Sequence, residues 1–505
     1  MSRTRSAGIL LPIFSLPSKY GIGTLGKEAY RFVDFLVKAD QTYWQVLPIG
    51  PTSYGDSPYQ SFSSFAGNPY FIDPDLLVED HLLEKSDLKE LKVKDDRYID
   101  YGHLYETRFL ILRKAYEKGK DLYAKEFKDF VNKNKGWLED YALFMAVKKY
   151  FNMASWLEWP DPLIRQHKPE AVCMYLERLK EDIGFYSFIQ YLFFKQFVKL
   201  KEYANLHGIK IIGDLPIYVA MDSCDVWCDS KQFQLNENTK VPEDVAGVPP
   251  DYFSKDGQLW GNPLYDWNYM KSTGYKWWID RVAGVSAFFD VIRIDHFRGF
   301  AEYWAVPYGE KTAKNGHWEK GPGIDFVGVL RDWFSNIEFI AEDLGESSPG
   351  LIELLKESTF PGMRVLEFSL DPDGMSSHSP HNQDKNCVCY IATHDNVPVM
   401  GWLKEAKAKD LALAKRYFGL NKEEGYNYGF IRGGMASRAY LFICQMQDYL
   451  GLGKEATINA PGTLNNWKWR LLSGEADAKL AKKIAFYTKT FGRSRIEKSV
   501  KTAKE

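Results

Sequence analysis

Short apolar runs alternate with stretches of helical periodicity along most of this chain. Around 26–39 the apolar positions Ala29, Phe32, Val33 and Leu36 recur at the spacing of one helix face. The run Tyr43-Trp44-Gln45-Val46-Leu47-Pro48 follows and predicts a buried strand. Runs of the same character come later: Ile209-Lys210-Ile211-Ile212-Gly213-Asp214, the stretch 287–294, Phe339-Ile340-Ala341-Glu342-Asp343, Arg364-Val365-Leu366-Glu367-Phe368 and Val388-Cys389-Tyr390-Ile391-Ala392-Thr393-His394-Asp395. Helical patterns at 323–336, 348–358 and 400–418 separate several of them. Strands that alternate with helices imply a parallel sheet with crossover helices. Five of these runs end in or beside a carboxylate. Acids at the carboxyl ends of successive strands converge on one point if the sheet closes into a barrel, whereas an open sheet spreads them along an edge. The expected fold is α/β, a (β/α)8 TIM barrel.

Two stretches break the alternation. Residues 75–185 are charged and helical, and 216–285 are rich in aromatics. Both read as partly helical subdomains inserted into one catalytic barrel unit that spans 1–505. From Ser473 the chain looks helical and then, from Arg493 to Glu505, polar, so 473–505 is expected to be a helical segment with a fraying tail. That leaves no room for a C-terminal β-sandwich.

Composition removes several function classes. Apolar content of 45% and charged content of 26% suit an ordinary globular protein. The net charge of −2 points to neither a nucleic-acid nor an anionic-membrane partner. No apolar run approaches the roughly 18 residues that span a bilayer. Pro12 interrupts the short apolar segment after Met1-Ser2-Arg3-Thr4-Arg5, which is no signal peptide, so the expected location is cytoplasmic. Six cysteines are too sparse for a disulfide scaffold. Cys224/Cys228 and Cys387/Cys389 lack the spacing of a zinc site, so no metal is expected. Gly21-Ile22-Gly23-Thr24-Leu25-Gly26 matches the dinucleotide fingerprint, but no strand directly precedes it and the next strand ends in Leu47-Pro48 rather than an acid. It reads as a lead-in to the first helix, and no cofactor is expected.

Aromatics make up 15% of the chain and crowd into 252–278: Tyr252, Phe253, Trp260, Tyr265, Trp267, Tyr269, Tyr275, Trp277 and Trp278. Pro249-Pro250, Gly257, Gly261 and Pro263 mark this segment as loop. Sugar rings present apolar C–H faces that stack on aromatics. Some of these residues are expected to line a sugar site and others to pack onto the barrel.

The densest chemistry is Arg293-Ile294-Asp295-His296-Phe297-Arg298-Gly299. On a strand, Arg293 and Asp295 project side by side, and a cation beside a carboxylate keeps it ionised. An ionised, oriented Asp suits a glycosyl nucleophile, so Asp295 takes that role. Glu342 follows three apolar residues, and a desolvated carboxyl there would hold a proton near neutrality as the acid/base. Asp395 is a third carboxylate, placed to bind ring hydroxyls and favour a distorted sugar. His296 and His394 could donate to substrate hydroxyls. Asp214 and Arg293 recur in the same strand-end context.

These motifs resemble the 4-α-glucanotransferases (amylomaltases, or disproportionating enzymes) of glycoside hydrolase family 77. Carrying the resemblance are Gly8-Ile9-Leu10-Leu11-Pro12, Leu47-Pro48-Ile49-Gly50-Pro51-Thr52, Ser57-Pro58-Tyr59-Gln60, Gly213-Asp214-Leu215-Pro216-Ile217-Tyr218-Val219, the run 246–267, the 293–299 motif, Ala341-Glu342-Asp343-Leu344-Gly345 and Thr393-His394-Asp395-Asn396. It extends over about 7–472. It implies a barrel with inserted subdomains, transfer within α-1,4-glucans (maltodextrins, starch or glycogen, with glucose as acceptor), and the roles given above to Asp295, Glu342 and Asp395. It further implies that Arg293, His296 and His394 line the central subsite. By the same resemblance Tyr59, Trp260 and Asp371 match substrate-contacting positions, and Tyr54 and Tyr101 fall where some members have a second glucan site. The aromatic segment, with Tyr252 and Phe253, would cover the site and favour an acceptor over water. An α-amylase-like hydrolase would use the same acids, and a non-catalytic glucan-binding protein would lack working ones.

Overall fold

The computed structural model describes residues 3–53, 55–251 and 254–495. Eight short parallel strands form its centre: β1 Ser6–Leu10, β2 Tyr43–Gln45, β3 Lys210–Leu215, β4 Val291–Ile294, β5 Glu338–Ala341, β6 Gly362–Val365, β7 Cys387–Tyr390 and β8 Leu441–Gln445. They pair in the order β6-β7-β8-β1-β2-β3-β4-β5. The last gap, between β5 and β6, is bridged where Ala341 N–H donates to Pro361 O at 2.9 Å. The result is a (β/α)8 barrel. Sequences such as Val-Ile-Arg-Ile and Cys-Val-Cys-Tyr are apolar almost throughout because parallel strands are covered on both faces.

The strands are shorter than the apolar runs that predict them. Tyr43–Gln45 pairs for three residues before Val46-Leu47-Pro48 leaves the sheet, and Leu366–Phe368 turns into a 3-10 helix. The helical pattern at 400–418 divides into Val399–Glu405 and Ala408–Phe418. At the Gly21–Gly26 motif, helix Lys27–Lys38 begins after Gly26, where a side chain would collide with the Asp73 carboxylate. A carboxylate already fills the space against that glycine.

Between β2 and β3 run several helices, the longest being Tyr101–Leu122 and Lys180–Leu206. The segment expected as aromatic loop has regular structure. Strands Asp244–Val248 and Gln258–Pro263 come before β4, Glu302–Pro307 and His317–Lys320 after it, and the four form an antiparallel sheet. Helices Trp267–Ser272 and Lys276–Ser286 follow the second strand. Tyr265, Tyr275 and Trp278 are buried in the core, so these aromatics pack the subdomain onto the barrel and offer no open sugar platform. Tyr252 and Phe253 lie outside the described residues.

The expected fraying from Arg493 does not occur at that residue. Arg493 is fully buried and donates to Ser6 O, Met435 O and Ala439 O at 2.8–3.0 Å, tying the segment after helix Ala478–Thr490 to β1 and to the approach to β8. A guanidinium has five donors, enough to hold several carbonyls at once. Among the described residues no helix is long and apolar enough to cross a membrane.

Candidate active site

Asp214 on β3 and Arg293 on β4 are register partners. Adjacent positions of a parallel sheet face the same side, so both side chains enter the barrel together. One guanidinium nitrogen of Arg293 donates to Asp214 Oδ1 and Oδ2 at 2.7 and 2.8 Å and to Asp295 Oδ1 at 2.9 Å. Its Nε reaches the Met363 sulfur at 3.4 Å. Burial alone would lower the Arg293 pKa, but Asp214 and Asp295 raise it well above its ordinary value. Burial leaves Asp295 above its ordinary value, with Arg293 pulling against the rise and Asp395 adding to it. A quarter of the Asp295 side chain stays open to the cleft.

The backbone then turns sharply. His296 is left-handed, with φ 49°, a conformation that is strained for a non-glycine residue and that clusters at functional sites. The turn sends the imidazole against Trp260, whose ring centre is 4.8 Å away, and points the His296 N–H at Glu342 Oε2 (2.8 Å). Leu344 N–H holds the other oxygen, Oε1, at 2.8 Å. The Glu342 carboxyl is therefore anchored to the backbone next to Asp295. Burial pushes it up to about 8, with Asp295 adding to the rise and Arg293 opposing it. Its neighbour Asp343 serves the fold instead, accepting from Met363 N–H and Arg364.

At the end of β7, Asp395 Oδ1 accepts from the Asn459 amide at 2.6 Å and Oδ2 lies 3.2 Å from His394 Nε2. Tyr59, from the loop after β2, joins the two halves. Its hydroxyl is 2.8 Å from Asp214 Oδ2 and 2.7 Å from His394 Nε2, and its ring stacks on His394 at 5.4 Å. Burial and Asp214 keep this phenol protonated. A phenol has one proton to give, and an Asp214 carboxylate can only accept. The proton therefore goes to Asp214, and His394 Nε2 must carry a hydrogen and donate. Burial, with Arg293 nearby, lowers His394 to about 3, so this is the neutral imidazole and its 3.2 Å approach to Asp395 is not an ion pair. His296 is likewise neutral, lowered by burial to about 4.

The sequence model of glycoside hydrolase family 77, described as 4-alpha-glucanotransferase, matches residues 11–475. The chain belongs to that family. A 4-alpha-glucanotransferase of Clostridium butyricum is 50% identical over 484 residues, 95% of this chain and 99% of that one. One from Thermus thermophilus is 43% identical, covering 94% of this chain and 96% of that one. Amylomaltase from Streptococcus agalactiae, solved in complex with acarbose, superposes with a TM-score of 0.94 at 39% identity, over 97% of this chain and all of the other. The enzyme is a 4-alpha-glucanotransferase.

In this family member Asp214, Arg293, Asp295, His296, Glu342, His394, Asp395, Tyr59 and Trp260 form one connected cluster. Asp371 is placed differently. Its two oxygens accept from Asp373 N–H and Met375 N–H of its own loop, at 3.1 and 3.0 Å. The Tyr101 hydroxyl donates to Trp467 O at 2.8 Å, and Tyr54 lies outside the described residues. Sequence reasoning missed Asn459 and Trp467. The loop after β8 brings both in: Asn459 bonds Asp395, and the Trp467 ring lies 5.8 Å from Tyr59 and 6.3 Å from His394. Asn459 carries no local signal, since its partner is 64 residues away. Gln45 did carry one, as a polar residue inside an apolar run, and it accepts from the buried Tyr390 hydroxyl at 2.8 Å. Among the described residues no group of three or more His, Cys, Asp or Glu side chains is arranged to hold a metal ion.

Proposed function

We propose that this enzyme moves segments of α-1,4-glucans, such as maltodextrins, starch or glycogen, onto the 4-hydroxyl of another glucan or of glucose by retaining double displacement. An oxygen of Asp295 attacks C1 of the donor sugar while Glu342 gives its proton to the glycosidic oxygen. The C1–O bond breaks, the leaving glucan departs with that proton, and a glycosyl ester forms on Asp295. Glu342, now a carboxylate, then takes the proton of the acceptor 4-hydroxyl. The freed oxygen attacks C1 and releases Asp295.

The observation that carries this reading is the asymmetry of the two acids. A guanidinium is bonded to Asp295, whereas Glu342 accepts from two backbone N–H groups and rises to about 8. The guanidinium favours the anion on one acid and burial favours the proton on the other, which is the division the chemistry needs. Asp395 binds ring hydroxyls, with His394, His296 and Tyr59 around it, and Trp260 stacks a sugar. Asp371, Tyr252 and Phe253 belong to outer binding positions, and Tyr54 and Tyr101 to a second glucan site. The acarbose held by the Streptococcus agalactiae relative supports a glucan-like ligand. A cytoplasmic setting belongs to the same reading, and it fits six free thiols.

Two measurements test it. Pure maltotriose should give glucose, maltose and longer maltodextrins, and a rise in reducing ends without longer products would remove transfer from the reading. Glu342→Gln with α-glucosyl fluoride, whose departure needs no acid, should accumulate a covalent sugar on Asp295 by mass spectrometry. The sugar on another residue would refute the assignment.

A further inference from the structure

The outer strand of the antiparallel sheet, His317–Lys320, is exposed along its whole length. Trp318 lies within it with 42% of its surface bare. Unburied indole forgoes hydrophobic stabilisation, yet this one is held in place. The Arg298 guanidinium lies over the ring, 4.3 Å from its centre. Trp304, on the neighbouring strand, meets it edge-on at 5.2 Å, and the Trp304 indole N–H is itself fixed to Ala313 O at 2.8 Å. A ring packed this way has little freedom left to lose when a ligand stacks on its open side.

The brace leads to the reacting atoms. Arg298 stands two residues after His296. It donates to Glu346 O at 2.6 Å, four residues after Glu342, and to Glu302 at 2.6 Å. Glu342 acts on the bond between donor and acceptor units, so the loop that follows it borders the acceptor's path. The sheet continues that border. Leu259, Gly247, Trp304 and Trp318 are register partners across its four strands and so share one of its faces, on which Leu259 is itself 37% exposed. Three strand spacings separate the two edges, roughly 14 Å. His317, Glu319 and Lys320 put exposed polar groups on both sides of Trp318. An apolar ring among mixed, mutually compensating polar groups suits a sugar better than a polyanion or a lipid.

We propose that Trp318 is a distal acceptor platform, stacking a glucose unit of an α-1,4-glucan several units beyond the reacting 4-hydroxyl. The proposal rests on the transfer reading above and adds a specificity-determining residue: Trp318 favours long acceptors over short ones. Only an acceptor long enough to reach it gains the contact.

The test compares labelled glucose with labelled maltohexaose as acceptor, with maltotriose as donor. Trp318→Ala should raise KM for maltohexaose roughly three- to tenfold, the worth of one aromatic contact. KM for glucose should not move, and Trp318→Phe should recover part of the difference. An unchanged maltohexaose KM overturns the proposal. So does an equal loss with both acceptors, which would make Trp318 a support for Arg298 and nothing more. A dimer abolished by Trp318→Ala, with acceptor kinetics unchanged, also overturns it and gives the edge to a second copy. Melting temperatures establish that each variant is folded. Wild-type enzyme that makes longer products from maltotriose keeps the transfer reading whatever Trp318 does, so the two ideas fail separately.

Discussion

The ends of β4 and β7 are alike in one dimension: Arg293-Ile294-Asp295-His296 and Thr393-His394-Asp395-Asn396 each set an acid beside an imidazole after an apolar strand. They are fastened by different chemistry. At β4 a buried cation bonds the acid, and a left-handed residue turns the imidazole away onto Trp260. At β7 the acid accepts from a neutral amide, that of Asn459, and the imidazole 3.2 Å from its other oxygen is neutral too. A cation bonded to Asp295 favours its anion before the attack and again as the ester breaks. Hydrogen bonds to Asp395 are local and can be shared with a ligand. The first arrangement fits an acid that makes and breaks a bond, and the second an acid that grips.

Breaking the β4 side should cost most. Asp295→Asn is expected to lower kcat on the order of 10⁴-fold or more while glucan binding, read by calorimetry, survives. A tenth of wild-type turnover would show that the two ends are interchangeable. Arg293→Met leaves the buried Asp214 and the partly open Asp295 without their cation, and it should destabilise the fold by about 3–5 kcal/mol in denaturant titration. On the β7 side, Asn459→Ala removes one hydrogen bond to a charged group, roughly 1.5–3 kcal/mol, and should reduce kcat about ten- to hundredfold. It should do so with little change in melting temperature.

The pH profile sharpens the contrast. As general acid, Glu342 must be protonated, so kcat/KM should fall as pH rises through about 8. Asn459→Ala should leave that limb in place, because it acts on the other acid. The stability sign follows from the same shift. A carboxyl raised in the folded state binds its proton more tightly than in the unfolded chain. Its contribution is therefore complete below the ordinary carboxylate range and is lost as pH rises to about 8. Glu342→Gln should accordingly gain in melting temperature relative to wild type between pH 5 and pH 9. The smallest effect is expected from Tyr101→Phe. Losing its bond to Trp467 O should cost about 0.5–1.5 kcal/mol of stability and leave turnover nearly intact.

What the chain displayed in advance divides along the same line. The alternation of runs and the acids at their ends were enough for the barrel, because parallel strands are buried on both faces and read as unbroken apolar runs. Arg293 and Asp295 were legible as a pair because their contact is an i, i+2 contact on a strand. Asn459 and Trp467 were not, because they meet the site through a loop that crosses from β8. The expectation of a loop at 252–278 failed for a physical reason. Glycines and prolines there mark turns between short strands and helices, and Tyr265, Tyr275 and Trp278 fill the space beneath them. Strands β1 and β8 lay outside the expected series. Leu-Phe-Ile-Cys-Gln ends in no acid, and the run at β1 leads into Pro12.

The clasp at Arg493 bears on the order of events while the chain is being made. β1 leaves the ribosome first, but its partner β8 starts at Leu441, and the guanidinium that takes Ser6 O comes later still. At roughly 5–20 residues per second the first strand waits from about twenty seconds to over a minute with one edge unpaired. Closing the barrel therefore waits for β8 to emerge, and for that interval the nascent chain carries an open strand edge that other chains could pair with.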